Sequence, residues 1–195
     1  MASIWNFPNI LTISRIPLSG VLFATIHYGY WQISLLLFAL ASFTDWLDGW
    51  WARKFNQLTV FGRTFDPLID KIMVGGVFIF LIPVSAAKMA PWMVATIIGR
   101  EILVTGIRGY VETLGKKFGA DWFGKLKMLL QCILILLFLV LMAGKDFALF
   151  ARLASSVFVV YEILLYITIA VTVLSGVQYC WKASKLVQGV EPFAK

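Results

Sequence analysis

Apolar residues gather in six long stretches, at roughly 8–28, 31–52, 67–85, 91–113, 122–143 and 153–181. Each is close to the length of about 20 residues that a helix needs to cross a bilayer. The stretches do not alternate polar with apolar: Met128 to Ala143 is apolar almost throughout, which excludes the strands of a membrane barrel and predicts helices. Turn and break signals separate them at His27-Tyr28-Gly29, the polar Arg53–Arg63 segment, Pro83 to Pro91, Leu114-Gly115-Lys116-Lys117, and Gly144-Lys145-Asp146. The pattern therefore predicts an all-α polytopic membrane protein. Its six transmembrane helices form one bundle, and one membrane domain occupies residues 1–195.

Composition agrees. The 195 residues are 61% hydrophobic and 14% charged, with a mean hydropathy of +0.87, whereas soluble domains carry roughly 25% charged residues. A soluble domain and a disordered chain are both excluded. The two cysteines, Cys132 and Cys180, lie in apolar stretches with no metal-ligand or disulfide spacing. The start of the chain is too polar, with Pro8 too early, for a signal-peptide core, so the first apolar stretch is expected to be a span.

Lysine and arginine set the orientation. With both termini cytoplasmic, 14 of the 17 basic residues fall on the inner side, leaving Lys88, Lys145 and Arg152 outside. The net charge of +7 suits a surface facing anionic lipid. The basic residues flank spans and form no soluble basic face, so nucleic acid is not an expected partner. Trp5, Trp31, Trp92 and Trp122 fall at span ends and are expected to act as interfacial anchors, and His27 as a surface residue.

Only ten residues are acidic, yet Asp45, Asp48, Asp66 and Asp70 fall within 26 positions at the ends of two apolar stretches. Acids there are costly and mark function by default. Asp45 and Asp48 are spaced i,i+3 and Asp66 and Asp70 i,i+4, so each pair projects from one helix face. Four converging carboxylates need cations between them, and hard oxygen donors suit Mg²⁺ or Mn²⁺, here as a two-metal site. The plainer alternative has Asp66 capping a helix that begins at Pro67, with Asp45 and Asp48 paired to Arg53 or Lys71. Gly49 and Ala52 leave a bare helix face beside the acids, and Arg53 offers a fork suited to phosphate oxygens, which together suggest a pyrophosphate-bearing substrate. Gly49 could equally serve close helix packing.

Written out, Asp45-x-x-Asp48-Gly49-x-x-Ala52-Arg53-x₈-Gly62-x-x-x-Asp66-x-x-x-Asp70 resembles the complete signature of the CDP-alcohol phosphotransferases, with all eight positions matched. The resemblance implies a six-helix membrane fold, usually homodimeric, with a polar cavity open to the cytosolic side of the inner membrane. Asn6-Phe7-Pro8-Asn9-Ile10-Leu11-Thr12-x-x-Arg15, Arg100-Glu101-Ile102 with Arg108, Leu114-Gly115-Lys116 and Gly124-Lys125-x-Lys127 are similar to the bacterial phosphatidylglycerophosphate synthase branch. Met128 departs from that branch, which often has a hydroxyl residue there. Residues 132–195 match only as apolar span.

What the resemblance implies is phosphatidyl transfer from CDP-diacylglycerol to glycerol 3-phosphate, releasing CMP. Asp45, Asp48, Asp66 and Asp70 would hold two divalent ions, Mg²⁺ or Mn²⁺, with Asp70 also the general base. Gly49, Ala52, Arg53 and Gly62 would line the nucleotide site, with Thr59, Asn9 and Thr12 as neighbours; Asn9 and Thr12 also suit a helix start. The acceptor's dianionic phosphate needs its own cations, and Arg100, Arg108, Lys125 and Lys127 are the candidates, with Glu101 orienting an arginine. Lys116 and Lys117 read as positive-inside anchors, and Glu162 has no identified partner. Rival readings are the same chemistry on inositol phosphate or serine, a prenyl-transfer enzyme, and a cation transporter using the aspartates. The last two lack, respectively, a second Asp-rich motif and repeated halves.

Overall fold

The computed structural model describes residues 7–55, 60–115, 122–145 and 148–187. Within those ranges the side chains of Asp48, Gly49, Ala52, Arg53 and several residues at helix ends lie outside the description. The described residues form six helices, α1 (Phe7–His27), α2 (Trp31–Lys54), α3 (Val60–Leu81), α4 (Pro91–Thr113), α5 (Trp122–Gly144) and α6 (Ala148–Val187), with a 3₁₀ turn at Ser85–Ala87 and no strand.

Local chemistry explains the breaks. Gly29 takes φ +74° after α1, and its N–H bonds to Ile26 O at 3.1 Å while that of Tyr30 bonds to Thr25 O at 2.9 Å. This left-handed glycine stop turns the chain straight into α2. Pro91 opens α4, where its missing N–H costs nothing, and Gly115, at φ +73°, follows its end.

Two boundaries differ from the apolar pattern. Helix α3 starts at Val60, so Pro67 and Asp66 lie inside it and Asp66 is not a helix cap. Phe61, Phe65, Leu68 and Ile72 continue the helical spacing through the polar segment, and Pro67 removes only one backbone bond. Helix α6 has 40 residues, about 60 Å at 1.5 Å per residue, so it outruns the expected 153–181 at both ends.

Consecutive helices run in alternate directions, because contacts at the two ends sort cleanly. Ser34 meets Thr25, Gln32 meets Ala143 O, and Tyr161 donates to Ala87 O at one end; Arg15 meets Asp45 and Asp70, and Arg100 meets Ser175, at the other. Helix α1 packs on α2 and α3, α5 on α2 and α6, and α4 on α6. The core lies between them, around Phe38, Val77, Phe78, Leu134, Ile135, Phe138 and Tyr161. Trp31, expected as an interfacial anchor, is instead buried edge-on against Phe138 with ring centroids 5.9 Å apart; it begins α2 where the chain has already turned inward. Trp92, Trp122 and His27 are exposed.

The exterior is apolar: Leu36, Leu40, Phe43, Ile163, Tyr166, Leu174 and Val177 are all exposed. A surface of that kind suits contact with lipid. Among the described residues three helical segments are long and apolar enough to cross a membrane, Asn9–His27, Trp122–Gly144 and Ser155–Leu186, with a shorter apolar stretch at Trp31–Leu47. Helices α3 and α4 carry most of the charges of the site, Arg63, Asp66, Asp70 and Lys71 on one and Arg100, Glu101, Arg108 and Glu112 on the other.

Candidate active site

A buried polar stripe on α1 organises the acidic end. Asn9, Thr12, Arg15 and Ser19 recur every three or four residues, and all are buried. In an apolar helix such a stripe is stable only if its groups are partnered. Ser19 Oγ donates to Arg15 O, Thr12 Oγ1 donates to Asp66 Oδ1 at 2.5 Å, and Arg15 Nη1 reaches both Asp45 Oδ1 at 2.6 Å and Asp70 Oδ1 at 2.5 Å. One nitrogen serving two carboxylates means those oxygens are no more than about 5 Å apart. Asp66 lies one turn before Asp70 on α3, within electrostatic reach of Arg15 and Asp45. Asp45, Asp66 and Asp70 thus gather against α1. Asp45 takes its cation from Arg15, and Lys71 donates instead to Thr105 Oγ1 at 2.5 Å.

A basic cluster adjoins it. Arg100 is buried, donating from Nη2 to Ser175 Oγ at 2.5 Å and from Nη1 to Glu101 Oε1 at 3.2 Å. Lys127, also buried, forms an ion pair with the same Glu101 oxygen. Arg108 Nη2 donates to the Tyr179 hydroxyl at 2.9 Å. Lys71 lies within electrostatic reach of Arg100, Arg108 and Asp70, so the two clusters meet at the neighbouring residues Asp70 and Lys71 of α3. With Lys71, Arg100, Arg108 and Lys127 around the single carboxylate of Glu101, the basic cluster has the charge to receive a dianion.

Of the expected acceptor clamp, Arg100, Arg108 and Lys127 come together, while Lys125 is exposed, two positions and so about 200° round α5 from Lys127. Glu101 pairs with Arg100, one of the two arginines it was expected to orient, and also with Lys127. Asn9 is buried on the stripe with Thr12, whose hydroxyl is engaged by Asp66. Gly62 is buried in the first turn of α3. Thr59, Lys116 and Lys117 lie outside the described residues, as do the side chains of Asp48, Gly49, Ala52 and Arg53. Glu162, at the far end of the bundle, pairs with Lys88.

Four residues at the site went unassigned by the spacing. Arg15 carried a signal, a cation deep in an apolar helix three residues after Thr12. Lys71 stood out only as a partner for Asp45 or Asp48, and it turns instead to Thr105. Ser175 and Tyr179 are uncharged residues of an apolar segment, and only the fold brings them to Arg100 and Arg108.

Comparison with known proteins gives the family. The family model for CDP-alcohol phosphatidyltransferase matches residues 5–174, and the chain belongs to that family of phosphatidyl-transfer enzymes. Its relatives include the CDP-diacylglycerol--glycerol-3-phosphate 3-phosphatidyltransferase of Bacillus subtilis (strain 168), 33% identical over 199 residues, with 93% of this chain and 98% of that protein covered. The protein of the same name from Rickettsia typhi is 35% identical over 183 residues, 92% of this chain and 97% of its own. That from Salmonella choleraesuis is 34% identical over 137 residues, 66% of this chain and 74% of its own.

Divalent metal use goes with this family. Among the described residues no three acidic, histidine or cysteine side chains close on one point. The donors nevertheless fit: two carboxylate oxygens within about 5 Å converge on a cation, that of Arg15, and Asp66 adds a third hard oxygen donor one turn away.

Proposed function

We propose that this chain transfers the phosphatidyl group of CDP-diacylglycerol to the primary hydroxyl of glycerol 3-phosphate, giving phosphatidylglycerol phosphate and CMP. The observation that carries this reading is the junction on α3, where Asp70 of the acidic cluster and Lys71 of the basic cluster are neighbours. A base for a hydroxyl and cations for a phosphate on the same small acceptor must lie that close. The names of the relatives support the same substrates.

Asp45, Asp48, Asp66 and Asp70 would hold two divalent ions, Mg²⁺ or Mn²⁺, which when bound neutralise the pyrophosphate of the donor and make its β-phosphorus more electrophilic. Gly49, Ala52, Arg53, Thr59 and Gly62 would receive the cytidine diphosphate, with Asn9 beside them. Arg100, Arg108 and Lys127 grip the acceptor phosphate and hold its hydroxyl toward Asp70. Asp70 takes the hydroxyl proton, the oxygen bonds to the β-phosphorus, and the bond from that phosphorus to the CMP oxygen breaks. Thr12 and Arg15 contribute by fixing where Asp66 and Asp70 point.

The expected setting is one membrane domain of six spans in the inner membrane, a homodimer with both termini and the active site on the cytoplasmic side. The supports are the position of 14 of 17 basic residues and the alternation of helix directions, which puts both clusters at the end holding the α2–α3 and α4–α5 connections.

The test is CMP release by purified protein from CDP-diacylglycerol, with glycerol 3-phosphate, inositol phosphate or serine supplied in parallel, and with chelator and Asp70→Asn controls. Release that requires glycerol 3-phosphate, divalent metal and Asp70 is expected. Release with another acceptor moves the enzyme to a different branch, and folded protein that binds metal but releases no CMP would sink the reading.

A further inference from the structure

Helix α6 was legible only as apolar span, and the family match ends at residue 174. Just beyond it, one face of α6 presents Ser175, Gly176 and Tyr179 to the basic cluster. Tyr179 is buried. Its hydroxyl accepts from Arg108 Nη2 at 2.9 Å, and its ring centroid lies 5.3 Å from Arg100 Cζ and 5.9 Å from Arg108 Cζ. Gly176 makes room for this arrangement, since a Cβ there would stand 3.1 Å from Arg100 Cγ. Gly124 of α5 passes close to the same hydroxyl, at 3.7 Å from where its Cβ would be.

Two guanidiniums brought together repel each other, and without support they would splay apart until a dianion arrived. A ring near both guanidiniums offers each of them π density. Its hydroxyl occupies one Arg108 N–H and leaves the other donors of that side chain for a ligand. Ser175 holds Arg100 in the same way, through Nη2, while Glu101 takes Nη1. From this we infer that Tyr179 is a positioning residue for acceptor recognition: it holds Arg100 and Arg108 in register for the phosphate of the acceptor alcohol before that substrate binds. The inference rests on the reading of Arg100 and Arg108 as the acceptor clamp.

The experiment measures KM for glycerol 3-phosphate and, separately, for CDP-diacylglycerol in the purified full-length enzyme with Mg²⁺, for Tyr179→Phe, Tyr179→Leu, Arg100→Met and Arg108→Met. Tyr179→Phe keeps the ring and loses the acceptor, and is expected to raise KM for glycerol 3-phosphate about 5-fold. Tyr179→Leu loses both and is expected to raise it about 30-fold. KM for CDP-diacylglycerol stays within about twofold in both, a split that general loosening of the bundle does not produce. If the arginine variants raise KM for glycerol 3-phosphate and neither Tyr179 variant does, Tyr179 only fills space and the inference fails while the clamp stands. If both KM values rise together, the inference fails as well. If the arginine variants leave KM for glycerol 3-phosphate unchanged, the clamp reading itself is wrong and the inference goes with it. Should Tyr179→Leu not fold, Tyr179→Phe, which preserves shape, decides alone.

Discussion

Replacing Arg15 by methionine should unsettle the whole acidic end, and the size of the effect can be worked from its contacts. The Arg15 side chain is fully buried, Asp70 is 15% exposed and Asp45 32%. With about 4 Å between charge centres and an effective dielectric near 20, each attraction is about 4 kcal/mol, and the repulsion between the carboxylates at roughly 5 Å about 3 kcal/mol. Burying the guanidinium takes back part of this, and solvent weakens the share of Asp45. Removing the cation alone leaves two carboxylates facing each other, so Arg15→Met is expected to cost about 3 kcal/mol. Neutralising them as well, in Arg15→Met/Asp45→Asn/Asp70→Asn, should recover about 1–2 kcal/mol relative to Arg15→Met alone. The assay is denaturant titration of detergent-solubilised protein in the presence of chelator, followed through the fluorescence of its 8 tryptophans. An Arg15→Met variant as stable as the parent, or a triple variant weaker than Arg15→Met, would show that the bridge does not organise these aspartates.

Further outcomes are expected elsewhere in the bundle. Asp70→Asn should lower CMP release at least about 100-fold while circular dichroism stays that of the parent. Gly76→Ala places a Cβ 2.2 Å from Phe23 Cζ, in a ring already stacked on Phe80 at 5.2 Å, and should cost about 1–3 kcal/mol in the same titration. Gly75→Ala meets only Ile98 at an ordinary 3.6 Å and should change stability by less than about 1 kcal/mol. At the far end Lys88→Met removes an exposed pair with Glu162; stability should move by less than about 1 kcal/mol and turnover not at all.

How much of this was legible beforehand depended on what kind of signal each part left. The six helices were readable because apolar runs in a membrane chain are long and unbroken. The start of α3 was not, because Pro67 and the polar run before it look like a helix entrance, whereas the spacing of Phe61 and Phe65 carries the helix back to Val60. Asp45, Asp66 and Asp70 stood out because charge is rare in such a sequence and theirs recurs at helical spacing. Arg15 hid among the basic residues that report orientation, although it is a buried partner of two aspartates. Spacing also proposed Lys125 equally with Lys127, and only the packing of α5 separates the exposed one from the buried one. Tyr179 and Ser175 left no sequence signal, since an uncharged residue in an apolar helix becomes functional only through what the fold sets against it.

The division of the site between helices also explains why α3 carries charges of both signs at its active end. Asp66 and Asp70 face α1, where Thr12 and Arg15 hold them. Lys71, one residue and about 100° further round, faces α4 through Thr105. A single step along α3 therefore separates the side that would take the donor pyrophosphate from the side that would take the acceptor phosphate. The carboxylate proposed as base sits at that step, with adjacent Cα atoms about 3.8 Å apart. On this arrangement substitutions at Thr12 should act on metal and donor, those in α4 and α6 on the acceptor, and those at Asp70, its partner Arg15 and Lys71 on both. The helix that must serve both substrates cannot be apolar there, which is why α3 carries Asp66, Asp70 and Lys71 while packing on α1, α4 and α5.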